Sequence, residues 1–323
     1  MNSTPSAPSV LVLGPPLVFK VYETEFSKKY NFLKPWENPM PLNHFISSHS
    51  TSVKAIFCSA LSPVTCDIIQ SLPELEFVLA SSIGVNHIDL QECKRRGIVV
   101  ANAGSSFSDD VADMAVGLLI DVMRRITASN RYVKNRVWPK HRDYPLHNKL
   151  GGKRVGIVGL GNIGLQIATR LMAMGCIISY TSRTIKPNVT FPFYHDIHQL
   201  SSNCDILIIS CALNDQTHHM IDRQVLLDLG KDGFIVNVAR GAIIHEKDLI
   251  ECLVKGELGG AGLDVFEHEP NFPEELFALD NVVLTPHHGA VTKEACRNLY
   301  DLVCKNLDAF FTKQAFDNEV TNM

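Results

Sequence analysis

An arginine, two acids and a histidine each follow directly on a short apolar run in the second half of this chain. Phe234–Val238 leads to Ala239-Arg240-Gly241, and the run through Leu263 ends at Asp264, followed by Val265-Phe266-Glu267-His268-Glu269-Pro270. Val282–Thr285 leads to Pro286-His287-His288-Gly289. In an open α/β sheet, ligands gather outside the carboxyl ends of the strands, so these residues converge on one edge. The chemistry they suit is hydride transfer to a 2-keto acid. Arg240 offers a planar cationic fork for a carboxylate and a ketone oxygen. His287 has the side chain best matched to giving a proton near neutral pH. Glu269 is the candidate to orient that imidazole, with Glu267 and Asp264 as competing carboxylates.

The hydride donor is indicated by Val155-Gly156-Ile157-Val158-Gly159-Leu160-Gly161-Asn162-Ile163-Gly164. A β-branched strand enters G-x-G-x-x-G, and the glycines open a helix with apolar residues at Ile163, Ile167, Leu171 and Met174. In that context the motif signals dinucleotide binding. Gly159 permits the turn, Gly161 the approach of a pyrophosphate, and Gly164 close packing of helix on strand, while the helix start presents N–H groups to phosphate. The next strand, Cys176–Thr181, ends at Ser182-Arg183-Thr184, where an NAD site places an acid for the ribose 2′-hydroxyl. No Asp or Glu occurs from Cys176 to His195. An arginine flanked by hydroxyls suits a 2′-phosphate, so NADP(H) is expected in preference to NAD(H). A solvated loop cation is the bland alternative for Arg183.

Elements to position these groups are legible along the chain. Strands are expected at Val10–Leu13, Ala55–Cys58, Phe77–Ala80 and Ile98–Ala101, with helices between them. Ser108-Asp109-Asp110 caps a long helix running through Arg124-Arg125, its apolar stripe being Val111, Met114, Ala115, Leu118, Leu119, Val122 and Ile126. A polar stretch from Asn130 to Arg154 carries Trp138. Six further strands follow, at Val155–Val158, Cys176–Thr181, Asp205–Ser210, Phe234–Val238, Ala261–Val265 and Val282–Thr285, and suit one doubly wound sheet. The segment from Val291 to Phe311 is expected to be a helix that returns to the first domain.

Bulk properties narrow the partners. Of 323 residues, 46% are hydrophobic and 20% charged, the net charge is −4, and no Lys/Arg-rich stripe occurs. Nucleic acid and membrane are therefore not expected partners. Nine cysteines lie scattered without C-x-x-C, as in a reducing compartment. The Ser/Pro-rich start lacks an apolar leader, and Thr321-Asn322-Met323 is not a peroxisomal address, so a cytoplasmic protein is expected. No metal site is expected. His195 and His198 lack completing ligands, His218-His219 falls at a helix start, and His245-Glu246 lacks the second histidine of H-E-x-x-H.

Taken in order, Ser82-Ile83-Gly84-Val85-Asn86-His87, Gly159–Gly164, Asn237–Gly241, Gly262–Pro270 and Thr285-Pro286-His287 resemble the D-2-hydroxyacid dehydrogenases. The branch is that of the glyoxylate/hydroxypyruvate reductases, which includes plant-type hydroxyphenylpyruvate reductases. The resemblance spans nearly the whole chain. It implies two Rossmann-like doubly wound parallel-sheet domains with the active-site cleft between them: residues 1–107 plus 290–323 for substrate, and 108–289 for dinucleotide. It assigns the substrate carboxylate to Arg240 and to the backbone of Ile83 and Gly84, and the acid/base pair to Glu269 and His287. It places Ser108, Val238, Ala239, Asp264 and Gly289 about the cofactor. It further implies a homodimer in which the Trp138 arm reaches the partner's active site. Three segments depart from the family pattern: His287-His288 where one histidine is usual, Cys211-Ala212-Leu213 where a proline is frequent, and Ala103–Ser108 in place of a Thr-Pro turn. Phosphoglycerate dehydrogenases and formate dehydrogenases fit less well, the former for want of chain after His287, the latter because an amide stands where Glu269 does. A cofactor-sensing corepressor on the same fold is the contrasting class, and a Gly-rich-loop methyltransferase leaves Arg240, Glu269 and His287 unexplained.

Overall fold

A computed structural model describes residues 9–141, 143–316 and 318–320. The readings made on the amino-terminal leader and on Thr321-Asn322-Met323 lie outside the described residues. Two compact units are present, Met1–Phe107 with Thr292–Met323, and Ser108–Val291. The return to the first unit falls at Thr292, two residues beyond the point suggested by sequence.

The first unit holds β1 (Ser9–Leu13), β2 (Asn31–Leu33), β3 (Ala55–Cys58), β4 (Phe77–Ala80) and β5 (Val99–Ala101), in the order β2-β1-β3-β4-β5. Every pairing is parallel. β3 and β4 are buried at every position, the pattern of strands covered on both faces. Sequence periodicity did not indicate β2. It is a three-residue edge strand with an exposed Asn31, too short to carry a period. Helix Lys293–Thr312, capped by Thr292 Oγ1 at 2.9 Å from Ala295 N, buries Leu299, Val303 and Leu307 against the Phe19–Phe57–Phe77 core of this unit.

The second unit holds β6 (Arg154–Val158), β7 (Ile177–Thr181), β8 (Ile206–Ile209), β9 (Phe234–Asn237), β10 (Gly260–Leu263) and β11 (Val282–Leu284), in the order β11-β10-β9-β8-β6-β7. All pairings are parallel, so both units are doubly wound α/β sheets. The order reverses at β6, and the carboxyl ends of its neighbours form the expected binding edge.

Three local expectations are corrected. Ser108 is the first residue of helix Ser108–Arg124 and not its cap; its hydroxyl is buried without a hydrogen-bond partner among the described residues. The helix also stops at Arg124. Arg125 is left-handed (φ 47°), and a second helix, Ile126–Lys134, follows. Asp121 fixes this break by accepting from Thr127 N at 2.8 Å and Thr127 Oγ1 at 2.6 Å. Ile126 therefore leaves the apolar stripe and is exposed. His218-His219 lies in a turn and not at a helix start; the next helix begins at Arg223. No helix among the described residues is long and apolar enough to cross a membrane.

Candidate active site

The glycine-rich turn joins β6 to helix Asn162–Ala173. Gly159 has φ +93°, and a Cβ there would stand 2.6 Å from Cys211 Cα, so only glycine fits. Its N–H donates to Thr181 O at 2.8 Å, and its carbonyl accepts from Ser210 Oγ at 2.8 Å. Gly161 differs: a Cβ there would meet nothing within 4 Å. Gly161 is also the N-cap, and no side chain caps the helix. The first N–H groups therefore face an open cradle, the arrangement a pyrophosphate requires. Helix Ser108–Arg124 packs beside this helix, joined by Arg170 to Asp113 at 2.6 Å and to Asp109 at 3.2 Å. With the orphaned Ser108 hydroxyl, these features fit a dinucleotide.

Gly159 N bonding Thr181 O sets the end of β7 beside that turn. Two residues on, Arg183 is exposed, and its guanidinium has no partner among the described residues. Ser182 Oγ donates to Thr184 O at 2.6 Å, which tightens the loop that presents Arg183. Of the other turn residues, Leu160 is buried, Ile163 half-buried and Asn162 exposed.

At the end of β9, a buried side chain shapes the next turn. Asn237 accepts from Ala239 N and donates to Arg240 O, both at 3.0 Å. Val238 and Ala239 are buried behind it, and Arg240 Nη1 donates to Ala239 O at 2.7 Å. A Cβ on Gly241 would overlap the Phe266 carbonyl and Glu267 N, so this glycine lets the Arg240 turn press against the loop carrying Glu269. Burial lowers the guanidinium's pKa, and the charge of Glu269 offsets part of that shift.

Glu269 receives Phe266 N on Oε1 at 3.0 Å and faces His287 Nδ1 through Oε2 at 2.8 Å. Burial opposes its ionisation. The His287 hydrogen bond and charge, the Phe266 N–H and the Arg240 charge outweigh it and hold the carboxyl below its ordinary pKa. His287 Nε2 has no partner among the described residues, so it is the atom left for a ligand. The histidine is held in a left-handed backbone (φ 54°), a conformation costing a residue with a Cβ on the order of 1 kcal/mol or more. Asp264 maintains it. Its carbonyl accepts from His287 N at 2.8 Å, and its buried carboxylate accepts from Thr285 Oγ1 (2.6 Å), His288 N (2.8 Å) and Gly289 N (2.8 Å).

The second unit thus brings together Arg240, Glu269 and His287 and orders them with Asn237 and Asp264. Glu267 is turned elsewhere, to His219. Sequence reasoning missed the clamp formed by Asn237, although its place at a strand end before Arg240 was a usable signal. Ile83 and Gly84 belong to the first unit, after β4. Their carbonyls accept from Asn102 Nδ2 (2.8 Å) and Ser82 Oγ (2.7 Å), and their N–H groups have no acceptor among the described residues. Trp138 is exposed beyond helix Ile126–Lys134.

Comparison with known proteins identifies the family. The family described as D-isomer specific 2-hydroxyacid dehydrogenase, NAD binding domain, matches residues 116–289. A glyoxylate/hydroxypyruvate reductase of Arabidopsis thaliana is 46% identical over 97% of both chains. A hydroxyphenylpyruvate reductase of Plectranthus scutellarioides is 42% identical over 90% of this chain and 92% of its own. Among solved structures, the NADPH-dependent glyoxylate/hydroxypyruvate reductase of Sinorhizobium meliloti, in complex with NADP and malonate, is 30% identical with a TM-score of 0.89, covering 98% of this chain and 97% of that one. The chain belongs to the D-isomer specific 2-hydroxyacid dehydrogenase family, an oxidoreductase family with a nicotinamide cofactor, and within it to the glyoxylate/hydroxypyruvate reductase branch.

Proposed function

We propose that this chain reduces small 2-keto acids, of the glyoxylate and hydroxypyruvate class, to D-2-hydroxy acids with NADPH. The observation that carries the reading is the Glu269–His287 pair, 2.8 Å apart, beside a half-buried Arg240. The reduced nicotinamide, when bound, supplies the hydride taken up by the keto carbon. Arg240 pairs with the substrate carboxylate and polarises the ketone, an interaction strengthened by its partial burial. In the first unit, Ile83 and Gly84 present N–H groups that have no acceptor among the described residues and are suited to a carboxylate. His287 gives the Nε2 proton to the oxygen that becomes the hydroxyl, and its Nδ1–H stays on Glu269. Being part-exposed, the imidazole regains its proton from solvent.

Gly159–Gly164, Ser108, Val238, Ala239, Asp264 and Gly289 would line the cofactor, with Arg183, Ser182 and Thr184 at its 2′-phosphate. The guanidinium of Arg183, without a partner among the described residues, and the NADP-bound S. meliloti relative support NADPH over NADH. A homodimer is part of the proposal. The arm leaves Ile126, Val133, Trp138 and Leu146 exposed, and a groove of about 370 Å³ lined by Met114, Leu118 and Phe277 adjoins its first helix. Nine free thiols suit the cytosol. The Plectranthus relative favours a second reading of the substrate, 4-hydroxyphenylpyruvate.

Initial rates of NADPH and NADH oxidation with glyoxylate, hydroxypyruvate, pyruvate and 4-hydroxyphenylpyruvate test the reading. Turnover of glyoxylate and hydroxypyruvate with NADPH is expected. Tight NADPH binding with no turnover of any acid would overturn it in favour of a cofactor-sensing protein.

A further inference from the structure

Two residues before Glu269, Glu267 serves a different histidine. Its Oε1 lies 2.8 Å from His219 Nε2. His219 sits in the turn before helix Arg223–Leu229 with φ 52°, pinned by its N–H on Ala242 O at 2.8 Å. That left-handed residue brings the ring of His218 onto the same side, 3.9 Å from the His219 ring and tilted by 35°. One donor atom each from His218, His219 and Glu267 falls within 4.8 Å of the others.

An ion pair between His219 and Glu267 accounts for two of these residues but not for His218. Stacked imidazoles repel when both are protonated, and the His218 ring is exposed. The surroundings also favour a cation. Glu246 lies half-buried behind the cluster, its carboxylate accepting from Glu267 N at 3.1 Å, and the ring of His245 is 4.8 Å from that of His219. A cation bound there would offset the charges of the Glu246 and Glu267 carboxylates.

We propose that His218, His219 and Glu267 form a binding site for one divalent transition-metal ion of the zinc type. Two imidazole nitrogens and one carboxylate are the donor set of three-ligand zinc sites whose fourth position is open to water. Mg²⁺ and Ca²⁺ favour all-oxygen shells and are not expected to compete. Metal–ligand bonds near 2.1 Å set donor separations of roughly 3.3 Å, a value between the 2.8 Å of the His219–Glu267 pair and the 4.8 Å that bounds the cluster. The ion would clasp the turn at His218-His219 to the loop that also carries Glu269.

The test is a Co²⁺ titration of the intact protein, read by visible absorption, with Zn²⁺ and Mg²⁺ as competitors. One ion per chain is expected, with ligand-field bands, no thiolate charge-transfer band, and displacement by Zn²⁺ but not by excess Mg²⁺. His218→Ala and Glu267→Gln should each weaken binding by at least about tenfold, since even outer-shell changes have that effect. His195→Ala, away from the cluster, should leave it unchanged. Zn²⁺ should raise the melting temperature of wild type and not of the two variants, whose own metal-free melting curves report that they are folded. Absence of saturable binding, a thiolate band, or undiminished affinity in both variants would overturn the proposal.

Discussion

The two units share a fold and differ in their first turn. In each, a central strand leads through glycine into a helix at the point where strand order reverses. In the first unit the turn is Gly14-Pro15-Pro16, and a Cβ on Gly14 would overlap Ser62 Oγ, so the space is filled from within. Its two prolines have no N–H to offer a phosphate. In the second unit Leu160, Gly161 and Asn162 keep their N–H groups, and the space beyond Gly161 is open. Arg240, Glu269 and His287 stand at the carboxyl ends of that same sheet. Architecture therefore does not select the cofactor; the chemistry of one turn and three strand ends does.

The largest effect is expected where the second sheet presents its cation. Arg240→Ala should lower kcat/KM for a 2-keto acid by roughly 10³-fold, as for loss of a transition-state donor, with NADPH affinity retained. Steady-state rates with a fluorescence binding titration check both halves. Equal loss of cofactor binding would move Arg240 out of the substrate site.

Next in size is cofactor choice. Arg183→Ala should weaken NADPH binding by about 10- to 100-fold, the value of a charge-assisted pair, and leave NADH nearly unaffected. KM values for the two cofactors decide it, and equal changes would make Arg183 a solvated loop cation.

Paired alanine substitutions sharpen the contrast between the turns. Gly161→Ala should change stability by less than about 0.5 kcal/mol, because its Cβ has room, yet weaken NADPH by on the order of tenfold. Gly14→Ala should destabilise by about 1–3 kcal/mol, through its φ of +52° and Ser62, with cofactor affinity unchanged in the folded protein. Denaturant melts and NADPH titrations on both variants provide the readout.

The smallest effect is on acid stability. Glu269 is held below its ordinary pKa, so its pairing contributes fully above the unfolded value near ~4.3 and is lost as pH falls through the lowered one. Melting temperature against pH should show this acid limb in wild type, and Glu269→Gln should flatten it.

Much of this was legible in the chain because it was local. The six strands of the second unit are short apolar runs, and the charged residues follow them directly. What stayed hidden depends on contacts distant in sequence. Nothing near Arg125 announces a break, which Asp121 makes by capping Thr127. Glu267 and Glu269 are equivalent by spacing, and only the folded loop gives one to His219 and the other to His287. For the same reason the cluster at His218-His219 was not visible in the sequence: its carboxylate lies 48 residues away.

Hydrogen-exchange mass spectrometry of the intact protein with and without NADPH tests the central contrast most directly. The account predicts protection of amides across Gly159–Leu165 and Ser182–Thr184, with none at Gly14–Phe19. Protection at the Gly14 turn with none at the Gly161 turn would contradict it.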